Sequence, residues 1–431
     1  MKTQSYFSKI MLLICLFLLS ACALFQPMRT ESGGWVDWNG RGGWSETSSG
    51  GEMLAAEGSG PALLELGDAL AEDEAKSYAE EPSTYQNSPL RAGSVDDNEQ
   101  WDDYLLYRLQ FRDWGISVHD LDVGGRHTIK IVNQLGAPVL GAFVEVFASS
   151  GERLFQATSS ANGTIYFHPH ISGTSQSSTF EVVASKGNDE VRMNISSEEF
   201  NHELVLDARS SGDPIRLDVH FLIDATGSMS DEIQQLKDNM ISVAERISSM
   251  QSDPDVRYGM TIYRDREDLF VSRTFDFTPD VIAFTDALRE VHAEGGGDYP
   301  ESLNEGLHQA LYLPEWRQEE TVSLLFLIAD APPHLDYPQD FDYAQDIFEA
   351  VEAGIKIFPL ASSGLDDQGE YIFRQLAQIT GGKFLFLTYG AGGAPGDDTT
   401  HHVDDYSVLS LDDLVVRIVE EQLAFLNSPI Q

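Results

Sequence analysis

The sequence predicts an α/β fold: a doubly wound, mostly parallel sheet preceded by a small antiparallel β-sandwich. Three observations carry that expectation. From Arg216 onward, short apolar runs alternate with helical segments, the pattern of a parallel sheet covered on both faces. Between residues 116 and 210 the runs alternate apolar and polar positions and are separated by turn residues, as in a sandwich. Three polar loops then fall at or near the ends of apolar runs, and open α/β sheets bind ligands at the carboxyl ends of their strands.

The chain has 431 residues, enough for two or three domains at about 100–200 residues each. Lys and Arg number 27 against 70 Asp and Glu, a net charge of −43. Nucleic acid is excluded as a partner, because a phosphate backbone needs clustered cations. Electrostatic docking to anionic headgroups is excluded for the same reason. The hydrophobic fraction of 42% supports a packed core, and two cysteines exclude zinc ribbons and disulfide scaffolds.

The first 21 residues have the anatomy of a secretory signal peptide. Lys2 and Lys9 are followed by an apolar run from Ile10 to Leu19, then small Ser20 and Ala21. Leu19-Ser20-Ala21-Cys22 resembles the lipobox of bacterial lipoproteins. That resemblance implies cleavage before Cys22, acylation of its thiol and a lipid anchor in the cell envelope. Ala23 permits an outer-membrane destination. The other reading of these residues is an uncleaved anchor with Cys22 an ordinary thiol.

Residues 22–88 are rich in Gly, Ser and acids and read as a solvated tether. Residues 89–115 read as a helical lead-in, with Trp101, Tyr104, Leu105, Arg108 and Leu109 at helical spacing. Asp96, Asp97, Glu99, Asp102 and Asp103 gather at its start, where the helix dipole favours negative charge. The cluster lacks the glycine and terminal glutamate of an EF-hand loop.

Residues 116–210 hold the alternating runs HTIKIVN, GAFVEVFA, GTIYFHP, TFEVVAS, VRMNIS and HELVLDA. The stretch from IVNQLGAPV to GTIYF resembles the carboxypeptidase regulatory-like β-sandwich family, which implies a spacer or stalk without chemistry.

The head spans residues 214–427. Strands are expected at LDVHFLID, RYGMTIY, FVSRTFDF, TVSLLFLIAD, IKIFPLA and KFLFLTY. Helices are expected at residues 231–250, 281–291, 300–311, 344–353 and 370–379. A last helix opens at Ser410, with Asp413 in capping-box position.

Its three polar loops are Asp224-Ala-Thr226-Gly-Ser228-Met-Ser230, Gly295-Gly-Gly-Asp298-Tyr-Pro-Glu301 and Asp330-Ala-Pro-Pro-His334. They offer carboxylates and hydroxyls and no thiolate, the donor set of a hard divalent cation. Mg2+ is the expected ion, with Ca2+ or Mn2+ as alternatives. Taken singly, each loop has a plainer reading as a helix cap, a loop or a buried acid; together, and in order, they point to one ion.

FLIDATGSMS resembles the metal-ion-dependent adhesion site (MIDAS) of the von Willebrand factor type A (VWA) domain, with Thr226 at the first hydroxyl. GGGDYPE and IADAPPH are similar to the hemicentin-like and alpha-kinase-associated branch of that family. The resemblance implies a Rossmann-like head in which Thr226 and Ser228 bind the metal directly, and Asp224 and Asp330 bind it directly or through water. Family members commonly supply a threonine from the second loop. Counting from the following helix puts Glu301 there, whereas the glycine run points to Asp298; either way a carboxylate stands for a hydroxyl. His334, with His401 and His402 among Asp397, Asp398, Asp404 and Asp405, reads as solvated loop rather than zinc site.

Catalysis is not expected. A phosphatase would need a second Asp where Thr226 stands, and Ser228 lacks a nucleophile elbow. The reading is a cell-envelope lipoprotein whose head binds a divalent cation and a protein or extracellular-matrix ligand, through an acidic group completing the metal's shell. The alternative is a scaffold in which the metal is purely structural; a metal-dependent hydrolase is a third reading.

Overall fold

A computed structural model describes residues 44–47, 90–174, 177–208, 214–250, 252–388 and 401–427. The signal peptide, Cys22, and all of the tether except residues 44–47 lie outside the described residues.

The large sheet is built around the most apolar run in the chain. Strand β13 (Thr321–Ala329) is buried at every position. On one side it pairs in parallel with β10 (Arg216–Asp224), which pairs in parallel with β11 (Asp255–Tyr263). On the other side β14 (Ile355–Ala361) and then β15 (Phe384–Thr388) follow, also parallel. Antiparallel strands flank this centre. On one flank β12 (Ser272–Thr278) pairs with β11, and β1 (Trp44–Thr47) pairs with β12. On the other, β2 (Arg91–Val95) lies between β15 and β16 (Ser407–Ser410). The expected doubly wound architecture is what this nine-stranded order describes, but the sheet is mixed rather than mostly parallel: its five central strands are parallel, and the four pairings on the flanks are antiparallel.

Side chains of the central strands alternate between two cores, as a period of two demands. Leu217, Val219, Phe221 and Ile223 of β10 meet helices α2 (Ser230–Ser248), α3 (Val281–Arg289) and α7 (Leu411–Asn427). Leu222, Leu325, Leu327 and Ile357 meet α4 (Leu303–Tyr312), α5 (Tyr343–Ala353) and α6 (Asp367–Thr380). Each fully buried Leu, Ile or Phe contributes about 1.5–3 kcal/mol. The observed helices keep close to the expected ranges, and α3, α5 and α6 each start on an Asp whose carboxylate accepts from the first backbone amides.

The lead-in is more than a helix. Residues 91–95 form β2 inside the large sheet, and helix α1 (Trp101–Trp114) follows. Its buried face is Tyr104, Tyr107, Arg108 and Phe111, whereas Leu105 and Leu109 are exposed. Phe111 stacks on Tyr371 of α6 with centroids 4.0 Å apart, and Arg108 is held by Asp120 and the Leu121 carbonyl. The aromatics therefore turn this helix toward α6 and leave the leucines outside. Asp97 caps no helix. It is buried against Arg374 in a two-point ion pair of 2.6 and 3.0 Å.

Between α1 and β10 lie two small sheets. One is β6 (Thr164–Phe167), β3 (His127–Val132) and β9 (Asn201–Val205); the other is β5 (Arg153–Thr158), β4 (Phe143–Ala148), β7 (Thr179–Lys186) and β8 (Asp189–Ser196). The β3–β9 pair is parallel, which the long return between them permits; the remaining pairs are antiparallel. These sheets share one continuous apolar cluster with α1 and the α4–α6 side of the head. Thr158 also donates to the Glu352 carbonyl at 2.6 Å.

Candidate metal centre

The first two sheet neighbours in chain order, β10 and β11, lie to one side, and β13 lies on the other side of β10. The strand order thus reverses between β10 and β13, and the crevice beyond their carboxyl ends is where such sheets hold ligands. Asp224 is the last residue of β10, and Asp330 directly follows β13.

After Asp224 the chain turns through a short 3-10 helix, Gly227–Met229, into α2. One Asp224 oxygen accepts from the Thr226 amide at 2.9 Å and the Thr226 hydroxyl at 2.7 Å. The other accepts from the Tyr263 phenol at 3.2 Å. The Thr226 and Ser228 hydroxyls stand 3.2 Å apart, so the alternate-position pair faces one place. Asp224 and Thr226 are buried, while Ser228 is exposed.

The glycine run folds over this turn. The Gly227 amide donates to the Gly295 carbonyl at 2.9 Å. A Cβ on Gly296, whose φ is +69°, would lie 2.5 Å from Glu301 Oε1 and 2.9 Å from Thr226 Cβ. A Cβ on Gly295, at φ +81°, would lie 2.1 Å from Asp268. Only glycine meets both the backbone and the spacing demands here. The same contacts place the Glu301 carboxylate beside Thr226.

The second and third loops are joined through their backbones. The Glu301 amide donates to Pro332 O, and the His334 amide to Glu301 O, each at 3.1 Å. Asp224, Thr226, Ser228, Glu301 and Asp330 are thereby gathered at the sheet's rim. Asp298 is exposed, and its carboxylate groups with Asp265 and His334, their candidate ligand atoms all lying within 4.8 Å of one another.

Electrostatics mark the first group as incomplete without a cation. Burial, and then the charge of Asp330, pushes Asp224 up to about 7 against the hydrogen bonds of Thr226 and Tyr263. Burial, and then the charges of Asp224, Asp265, Asp268 and Asp330, pushes Glu301 up to about 9. Glu301 Oε2 is buried with no hydrogen-bond partner among the described residues. Like charges in a desolvated place disfavour ionisation, and a divalent cation among hard oxygen donors removes that conflict. These residues fit such an ion.

Sequence reasoning missed Asp265, Asp268 and Tyr263. Asp265 lies just past the carboxyl end of β11, so the strand-end rule that found Asp224 and Asp330 would have found it too. His334 was read as part of a solvated loop; it is 3% exposed. Of the other two, His401 is half-buried and His402 exposed, and both are tied to α6. Each ring Nδ1 lies 3.2 Å from an oxygen of buried Glu370.

Residues 218–389 match the family model described as the von Willebrand factor A domain. The chain is 31% identical over 139 residues to the alpha-protein kinase vwkA of Dictyostelium discoideum, covering 32% of this chain and 22% of that protein. It is 35% identical over 81 residues to hemicentin-2 of Mus musculus, covering 19% of this chain and 2% of that one. The chain thus spans less than a quarter of the length of either relative. Proximal thread matrix protein 1 from the mussel byssus overlays with a TM-score of 0.34 at 15% identity, covering 49% of this chain and 47% of that one.

Proposed function

We propose, from the von Willebrand factor A domain that residues 218–389 form, that this protein is a divalent-cation-dependent interaction module and not an enzyme. Such domains mediate protein–protein contacts. In this reading Thr226, Ser228 and Glu301 hold the ion, and Asp224 and Asp330 hold it directly or through water. Mg2+ is the first choice by donor type, with Ca2+ and Mn2+ acceptable to the same oxygens. The chief support is the contact of the Glu301 carboxylate with the Asp224–Ser228 turn across Gly296. Between the two second-loop acids it favours Glu301, with Asp298 displaced to a neighbouring group.

The partner proposed is a protein or matrix ligand whose own carboxylate completes the ion's shell. Glu301 adds a negative charge where a hydroxyl would be neutral, so the ion is held tightly but is a weaker acceptor for that carboxylate. The module is further proposed to be displayed at the cell envelope through a lipid on Cys22, on the evidence of residues 1–22 alone.

Calorimetric titration of the full chain with Mg2+ tests the ion, and Ser228→Ala is the informative variant because the hydroxyl is exposed and dispensable for folding. Saturable binding weakened about tenfold or more is expected; unchanged binding rejects the assignment. Capture of the chain on immobilised matrix proteins in Mg2+ and in chelator tests the bridge. Equal capture in both makes the metal structural only. Incorporation of labelled palmitate, lost in Cys22→Ser, tests the anchor.

A further inference from the structure

We propose that Asp265, Asp298 and His334 form a second cation site beside the first, one that takes a divalent ion with an affinity for imidazole, such as Zn2+. His334 carries the argument. The residue is 3% exposed, yet its Nε2 is buried with no hydrogen-bond partner among the described residues. That nitrogen stands 3.9 Å from Asp265 Oδ1, too far for a hydrogen bond. Two ligands of one tetrahedral ion with bonds of about 2.0–2.2 Å stand about 3.3–3.6 Å apart, so a closure of a few tenths of an ångström brings this pair onto a common ion.

The opposite edge of the ring fixes its chemistry. Nδ1 lies 2.8 Å from the Asp336 carboxylate. A carboxylate can only accept, so Nδ1 carries a proton, and in the neutral ring Nε2 presents the lone pair that a metal takes. This carboxylate–histidine arrangement is how metal-ligating histidines are oriented and made more basic. The ring is stacked on Tyr337 with centroids 3.8 Å apart, and its backbone is bound to Glu301, so it cannot swing away.

Asp265 is held as firmly. Its carboxylate accepts from Ser302 at 2.7 Å and from the Tyr337 phenol at 3.0 and 3.1 Å. Asp298, exposed on the glycine loop, supplies the third ligand and the route by which an ion enters. One nitrogen and two carboxylates suit Zn2+ better than Mg2+ or Ca2+, which prefer oxygen alone. The two sites therefore differ in the metal they select.

The test titrates the full chain, saturated with Mg2+, with Zn2+ alone. One further equivalent is expected, with affinity lowered about 10–100-fold by Asp298→Asn and by Asp336→Asn; both residues are exposed, so folding is preserved, and circular dichroism checks it. Ser228→Ala should leave this Zn2+ affinity unchanged. The absence of any Zn2+ binding overturns the proposal, as does binding that neither the Asp298 nor the Asp336 variant weakens. Zn2+ binding lost in Ser228→Ala but kept in Asp298→Asn places the ion in the first site and also overturns it. Mg2+ binding in the absence of Zn2+ is read separately, so either site can fail alone.

Discussion

The backbone amide of His334 donates to the carbonyl of Glu301 at 3.1 Å, which makes the second and third polar loops one piece. Glu301 and Pro333 form an isolated parallel bridge at the same place. Side chains that reach toward different neighbours thus start from one fixed base, and small displacements of one loop are felt in the other.

Glu301 is costly to the fold in the absence of a cation. Its Oε2 is buried and unbonded among the charges of Asp224 and Asp330. Glu301→Gln should therefore raise the stability of the metal-free chain by about 1–3 kcal/mol, since the amide can donate to those carboxylates. It should also abolish most of the Mg2+-dependent rise in melting temperature. Urea unfolding with and without Mg2+ measures both.

Removing the ion from the parent protein acts in the opposite direction. A ligand present at 100 times its dissociation constant stabilises the folded state by about 2.7 kcal/mol. Chelation after Mg2+ loading should lower the melting temperature by several degrees, and a scan that is unchanged by chelator would mean that no ion was bound.

Asp97 and Arg374 are both almost fully buried and face each other through two hydrogen bonds. Asp97→Ala would leave the guanidinium with Glu370 as its one charged partner among the described residues, and a loss of about 3–5 kcal/mol is expected. Denaturant midpoints at constant slope would register it. Replacing both residues by apolar ones of similar volume should restore much of the loss.

Acid should loosen the contact between α6 and the segment leading into β16. Burial alone would raise Glu370, but hydrogen bonds from His401 and His402 and the charge of Arg374 outweigh it and hold the carboxyl at about 2. A depressed carboxyl stabilises the fold above its unfolded value near 4.5, and that contribution disappears as pH falls from there to about 2. His402 has the opposite sign. Its hydrogen bond to Glu370, opposed by burial, raises its pKa, so its contribution is complete below about 6.5 and fades as pH rises through the folded value. The stability gap between the parent and Glu370→Gln, followed by urea unfolding from pH 7 to pH 2, should close in the acid range. A gap constant with pH would show that the carboxyl is not ionised in the fold.

The readable parts of the sequence were those set by local period. β13 is apolar at seven of its nine positions and β10 carries the apolar core Val-His-Phe-Leu-Ile, and α2 and α5 repeat apolar residues every three or four, so these elements needed no partner to be recognised. The Asp224, Glu301 and Asp330 loops were found because strand ends are where such sheets place polar side chains. β2 and β16 were illegible for the converse reason. Arg-Ala-Gly-Ser-Val and Ser-Val-Leu-Ser are short and weakly apolar, and they are strands because β2 lies against β15 and β16 in turn lies against β2. The choice between Asp298 and Glu301 was likewise hidden, since two ways of counting gave two answers; the course of the glycine loop over Thr226 is what the proposed assignment to Glu301 rests on.

β2 comes from before the sandwich yet fills a slot inside the head's sheet, between β15 and β16. A fragment cut at residue 214 would consequently lack it. The backbone groups of β15 that β2 satisfies would become a bare edge, open to strand addition from other molecules. A version of the head that keeps β15 covered therefore begins near residue 90 or earlier and carries the two small sheets along as an insertion.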